Sequence, residues 1–301
     1  FAGFGPATDA ELNSLTMAAV GSGTQIDHVQ TLYGLDDSFE WFGGAVDAKY
    51  LVSYESGDDH FDAAEGYVGR NQFLIAFQSV IPTVNPGAGG ASNDPQGFEI
   101  DGCADSNTGT CGASGQNAQP YTIPMFANFT VVGAAAQANI PQSGGFGLVV
   151  RRGAGGYFVN GVIARWRGAA ISLRDLTSTQ LRANEGNLVL RNILVAENGA
   201  MFQPGATNFA LDSAANEIRG TTALTSALFT TFPATTSNDT RGNAFDWRPA
   251  TASAAAQGGT GAFSGAIATK AGTYVTGTAY RGAVAADGPR WWDGWTNYVQ
   301  R

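Results

Sequence analysis

Charge is scarce in this sequence. Charged residues make up 14% of the chain, against ~25% in an average soluble domain. Helical bundles carry Glu and Lys on their exposed faces, so this surface is not built that way. Lysine occurs only as Lys49 and Lys270, which excludes a polybasic membrane anchor. The net charge of −9 removes the basic face that nucleic acid requires. With only His28 and His60 and no paired CxxC, a zinc site is not expected. No GxSxG elbow occurs, and neither histidine has a Ser or Cys partner in evident reach, so Ser/His/Asp catalysis is not expected either. No run approaches the ~20 apolar residues of a transmembrane segment. The opening FAGFGPATDA lacks the pattern of a signal peptide and reads as a mature or trimmed form.

What is abundant points to β structure. Glycine contributes 41 of 301 residues, about twice the usual ~7%. Glycine with many β-branched residues and little charge favours strands joined by tight turns. Cys103 and Cys111 bracket the Gly/Asn-rich segment CADSNTGTC. That short spacing suits a loop-closing disulfide, formed in an oxidising, extracellular compartment.

The sequence also repeats. Asp36-Asp37-Ser38-Phe39-Glu40 recurs 22 residues later as Asp58-Asp59-His60-Phe61-Asp62. Val29, Leu51 and Phe73 keep the same offset, and Phe98-Glu99 supplies a third Phe-acid pair. Asn128, Asn160 and Asn192 then follow at intervals of 32. Repeats of this length, each holding short β runs and Gly/Asn turns, are coils of a β-solenoid. Stacked coils place Phe39, Phe61 and Phe98 in one interior column and the three asparagines in an interior ladder. An α/β fold is not supported, because only ATDAELNSLTMAAV and part of LDSAANEIRGTTALTSALFTTF look helical.

VGSGTQIDHVQ, DDSFEWFGGAVDAKYLVSYESGDDHFD, GFEIDG, FANFTVVG and WWDGWTNY together resemble a family of bacterial secreted or surface-anchored right-handed β-helix proteins. The resemblance implies an extracellular or outer-surface location. The expected fold is all-β: a right-handed parallel β-helix over 1–250, with loop insertions at about 80–96 and 102–124 and one or two short helices. An Ala/Gly/Thr-rich, aromatic C-terminal cap over 251–301 completes it. Right-handedness also follows from the preference of parallel crossovers.

Alternation about the inward phenylalanines points Glu40, Asp62 and Glu99 outward, with Asp37 and Asp59 beside them. Stacked carboxylates ~5 Å apart repel unless they are solvated, share protons or share a cation, and Ca²⁺ is the cation that fits oxygen ligands. Solvated or turn-capping carboxylates are the plainer alternative. Asp101, Asp105 and Asn107 form a weaker Ca²⁺ candidate. The layout resembles that of pectate-lyase-like enzymes, which makes Asp62 and Arg151 the catalytic candidates, Arg151 as base. Trp291, Trp292 and Trp295 are candidates for stacking on sugar rings, or else plug a hydrophobic end. Three functions remain open: a surface scaffold that self-associates into a filament or layer, a Ca²⁺-dependent lyase or other glycan-active enzyme, and a non-catalytic binder of cell-surface glycan.

Overall fold

In a computed structural model, the described residues are 11–82, 84, 89–92, 95–103, 112–134, 145–232 and 245–298. They form a parallel β-helix. Each coil contributes one short and one long strand. The short strands are β1 (Leu15–Ala18), β3 (Phe39–Phe42), β5 (Phe61–Ala64), β7 (Phe98–Asp101), β9 (Phe146–Arg151) and β12 (Ala169–Arg174), and they pair in that order. The long strands are β2 (Gln25–Leu32), β4 (Asp47–Tyr54), β6 (Arg70–Phe77) and β8 (Met125–Val132). In later coils they are split, as β10 (Gly156–Val159) with β11 (Val162–Ala164), then β13 (Leu188–Arg191) with β14 (Ile193–Ala196), before β16 (Ile218–Thr221) ends the stack. β15 (Asn208–Phe209) pairs antiparallel with β12 and occupies that edge of the short sheet. A separate hairpin joins β17 (Phe229–Thr231) to β18 (Asp246–Pro249). The helices are short: α1 (Thr179–Asn184), α2 (Thr225–Leu228) and α3 (Gly265–Ala271). The helical expectation near the N-terminus is overturned, because Leu15–Ala18 pairs with β3 as a strand.

Phe39, Phe61 and Phe98 occupy one register column. Their rings stack at 5.5 and 5.2 Å between centroids, and all three are fully buried. Burying each phenylalanine is worth roughly 1.5–3 kcal/mol.

A second column explains the asparagines. His28, Tyr50, Phe73, Asn128, Asn160 and Asn192 all have φ between +53° and +64°. Each bends its coil at the same point of the long sheet. Asparagine tolerates this left-handed conformation better than other non-glycine residues, which accounts for the 32-residue spacing. The bend also resets alternation, so Ala48 and Leu51 both enter the core. Leu51 therefore pairs with Leu74 rather than Phe73, because the third coil is one residue longer.

The asparagine ladder is not interior. Asn128 donates to Thr278 Oγ1 at 2.7 Å, and Asn160 Oδ1 accepts from Thr260 N–H at 2.8 Å. The carboxamides anchor the C-terminal segment to the corner; between rungs, Gln72 Nε2 donates to Asn128 Oδ1 at 3.0 Å and Asn192 lies 3.5 Å from Asn160. Asn160→Ala should therefore lower stability by roughly 1–3 kcal/mol through orphaned strap groups and a strained φ. Asn160→Gly, which relieves only the backbone, should fall between the two in thermal denaturation.

Residues 245–298 form a strap along the outer face of the long sheet, not a plug at an end. Trp247, Trp292 and Tyr298 pack on Tyr54, Phe77, Val132 and Val162, while Ala271 and Val275 pack on Met125 and Val159.

Candidate functional site

The short sheet carries the carboxylates. Strand alternation turns Glu40, Asp62 and Glu99 outward from the phenylalanine column, and register stacks them directly, Glu40 on Asp62 and Asp62 on Glu99. The Asp-Asp pairs lie in the turns just before β3 and β5, so Asp37 and Asp59 join the same ladder. Three overlapping triads result: Asp36, Asp37 and Asp58; Asp37, Glu40 and Asp62; Asp59, Asp62 and Glu99. In each, one oxygen per residue lies within 4.8 Å of the others.

These groups face outward yet are covered. Glu40 and Glu99 are each only 8% exposed and Asp59 only 3%. The Asn13 amide donates to Glu40 Oε2, and Gln96 N–H donates to Asp59 Oδ1, so residues near both 13 and 96 lie against the ladder. Asp37 Oδ1 accepts from Asp59 N–H at 2.9 Å, a rung-to-rung bond that fixes the stack. Asp62 is partly exposed, but its Oδ1 is enclosed and has no hydrogen-bond partner.

Burial first, and neighbouring carboxylates second, push Asp37, Asp59 and Asp62 well above the ordinary carboxylate range. Glu40 is pushed up to about 8 by burial, Asp36 and Asp58. Such shifts mark a site where negative charge lacks compensation. Asp37, Glu40, Asp59 and Asp62 form no salt bridge with Arg or Lys among the described residues. A hard divalent cation with oxygen ligands would supply the missing charge, and the donor set is all carboxylate, which fits Ca²⁺.

Arg151 is not placed as a free base. It ion-pairs with Glu99, and its Nε donates to Asp101 Oδ1 at 2.7 Å; Arg152 pairs with Asp101 as well. Burial opposes the charge on Arg151, but Asp101 and Glu99 outweigh it and hold the guanidinium protonated. Asp101 is thereby spent on arginines. Asp105, Asn107 and Cys111 lie outside the described residues, and with them the second Ca²⁺ candidate and the Cys103–Cys111 pairing.

The tryptophans divide. Trp292 is fully buried and donates to Phe245 O at 2.9 Å, so it cannot stack on a sugar. Trp291 and Trp295 are half-buried, stacked at 6.4 Å, and meet Tyr50 and His28 edge-on.

One arrangement escaped the sequence. Ser53 Oγ lies 2.5 Å from His60 Nδ1 and donates to Ser38 Oγ at 2.7 Å, and Ser38 in turn reaches Ser56. Ser38, Ser53, Ser56 and His60 are all buried. Burial lowers His60 to about 3, so it is a neutral core imidazole rather than a base open to substrate. Knowing that position 53 stacks inside the coil beside position 60 would have revealed the pair; its sequence spacing does not.

The fold and ladder define a parallel β-helix with a stack of largely covered carboxylates on the outward face of one sheet. A family model described as a pectate-lyase-like β-helix domain matches residues 1–252, and the chain belongs to that family. No curated protein and no solved structure matches the chain.

Proposed function

We propose that this chain is an extracellular, right-handed β-helix protein that engages acidic polysaccharide through Ca²⁺ held on the carboxylate ladder. The carrying observation is the stack of Asp37, Glu40, Asp59 and Asp62, none of which forms an ion pair with Arg or Lys among the described residues. A face this acidic repels a polyuronate unless a cation bridges the two. Membership of a pectate-lyase-like family supports a glycan partner. With Arg151 and Arg152 both committed to carboxylates, binding is the better-supported role and β-elimination requires Arg151 to be released. The self-assembling scaffold has no observation behind it, and antiparallel β15 already occupies one edge that a head-to-tail neighbour would use. The extracellular assignment carries with it the proposed Cys103–Cys111 disulfide.

Affinity electrophoresis in polygalacturonate gels, with and without Ca²⁺, tests this. Retardation should require Ca²⁺ and weaken about tenfold in Asp62→Asn. Assays for unsaturated products separate a lyase from a binder. Ca²⁺-independent retardation, or none at all, overturns the reading.

A further inference from the structure

The strap does more than cover the long sheet. Where it meets the last coils it borders an open pocket of about 430 Å³, lined by Asn192, Glu217, Arg219, Thr260 and Arg281 together with backbone near Gly258. The charges here are the reverse of those on the ladder. Arg191 Nη1 lies 3.6 Å from Glu217. Arg219 and Arg281 have no ion pair among the described residues. Three arginines thus share one carboxylate, in a protein whose net charge is −9.

Arg281 is the telling residue. It is 5% exposed. Its Nη1 donates to Ala254 O at 3.0 Å and Gln257 O at 2.9 Å, while Nε is enclosed without any partner. Burial, then the charge of Arg219, lowers its pKa, and Glu217 only partly opposes this. Gly258, at φ +79°, makes room for it: a Cβ there would come within 2.5 Å of Arg281 Nη1. A buried guanidinium hydrogen-bonded only to carbonyls, with a single carboxylate nearby, is a costly arrangement unless a further anion completes it. With Nη1 on carbonyls and Nε enclosed, Nη2 is the donor that Arg281 can turn to a ligand carboxylate, beside the guanidinium of Arg219.

We propose that this seam pocket binds a polyhydroxylated carboxylate, the chemistry of a single uronic acid unit. Arg219 and Arg281 hold the carboxylate, and Glu217, Asn192 and Thr260 meet the hydroxyls. The volume falls within the ~300–1,000 Å³ of small-ligand sites. The site lies on the long sheet and needs no metal, so it is independent of the carboxylate ladder.

Calorimetric titration with sodium galacturonate in EDTA tests it, with galactose and sodium sulfate as comparison ligands. Galacturonate should bind saturably and galactose should not. Arg219 is exposed, so Arg219→Gln should fold normally and weaken binding about tenfold or more. Arg248→Gln, whose arginine pairs with Asp246 elsewhere, should bind as the wild type does. Asp62→Asn should also bind galacturonate normally, which separates this site from the Ca²⁺ reading. The assignment is overturned if galacturonate gives no saturable heat, if Arg219→Gln binds unchanged, or if sulfate binds as tightly as the sugar acid.

Discussion

Between pH 6.5 and 8 the Ca²⁺-free protein should become less stable, and Ca²⁺ added at pH 8 should reverse the loss. Glu40 has an ordinary value of 4.5 and is pushed up to about 8 in the fold. Between those values the native state holds a proton that the unfolded chain has released, so stability falls as pH rises. Its contribution is fully present below 4.5 and gone above 8. Asp37, Asp59 and Asp62 are displaced in the same direction and add to the slope. His60 acts oppositely. Its fold value of about 3 against an ordinary 6.5 favours the native state increasingly up to pH 6.5, so the decline is cleanest above that point. Asp246 is held below its ordinary 3.8 by Arg248 despite burial, and it matters only in stronger acid.

Ca²⁺ binds the ionised ladder and so stabilises most where the protons have left. Asp62→Asn removes one repelling charge from the ladder. At pH 8 without Ca²⁺ it should be more stable than wild type by roughly 1–3 kcal/mol, a rise of several degrees in melting temperature. It should also lose most of the Ca²⁺ response. Differential scanning calorimetry at three pH values, in EDTA and in Ca²⁺, measures all of this. A melting temperature flat with pH and indifferent to Ca²⁺ would mean that the carboxylates are adequately solvated as they stand.

Much of the architecture was legible because stacking turns sequence spacing into spatial registry. The 22-residue offset put Phe39 on Phe61 and Glu40 on Asp62, and alternation then placed the acids outside. The same logic failed wherever a coil changed length. Phe73 keeps the numerical offset from Leu51, but one added residue moves it to the bend, where it joins Tyr50 and His28. The asparagine spacing was real and its cause misread: it marks a left-handed bend whose amides serve the strap, not a ladder within the core.

The strap itself left no periodic trace. Its contacts join residues some two hundred positions apart, such as Gln72 with Thr276 and Tyr54 with Trp247. Composition reports apolar and aromatic content there but not which flank of the solenoid it covers. The Ser53–His60 pair and the capture of Arg151 by Asp101 were hidden similarly, since both depend on which strands adjoin rather than on any local motif.

Trp292→Ala should detach the strap while leaving the coils folded. The indole is fully buried and donates to Phe245 O, and its cluster joins Tyr298 and Trp247 to the outer face of the long sheet. Removing it costs ~3–5 kcal/mol in side-chain burial and cavity formation. Trp295 is half-buried, and its alanine variant should cost much less.

Glu55 locks the same layer from beneath. Its carboxylate accepts from Ser79 N–H at 2.9 Å, Ser79 Oγ at 2.5 Å, Val80 N–H at 3.1 Å and Tyr298 O–H at 2.6 Å. Burial raises its pKa, and those four donors counter the rise. Glu55→Gln can keep an oxygen on the Ser79 and Val80 N–H groups only by turning its amide N–H to the Ser79 and Tyr298 hydroxyls, which must then accept, and losing the charge-assisted bonds should cost roughly 1–3 kcal/mol. Limited proteolysis followed by intact mass reads the outcome: new cuts within 245–298, unchanged far-UV circular dichroism from the coils, and Ca²⁺ binding retained on the short sheet. The interior phenylalanine column makes this separation physically reasonable, because it is closed by the coils alone and has no strap residue in it. A variant that loses coil and strap signals in one step would show that the helix depends on its outer layer for folding.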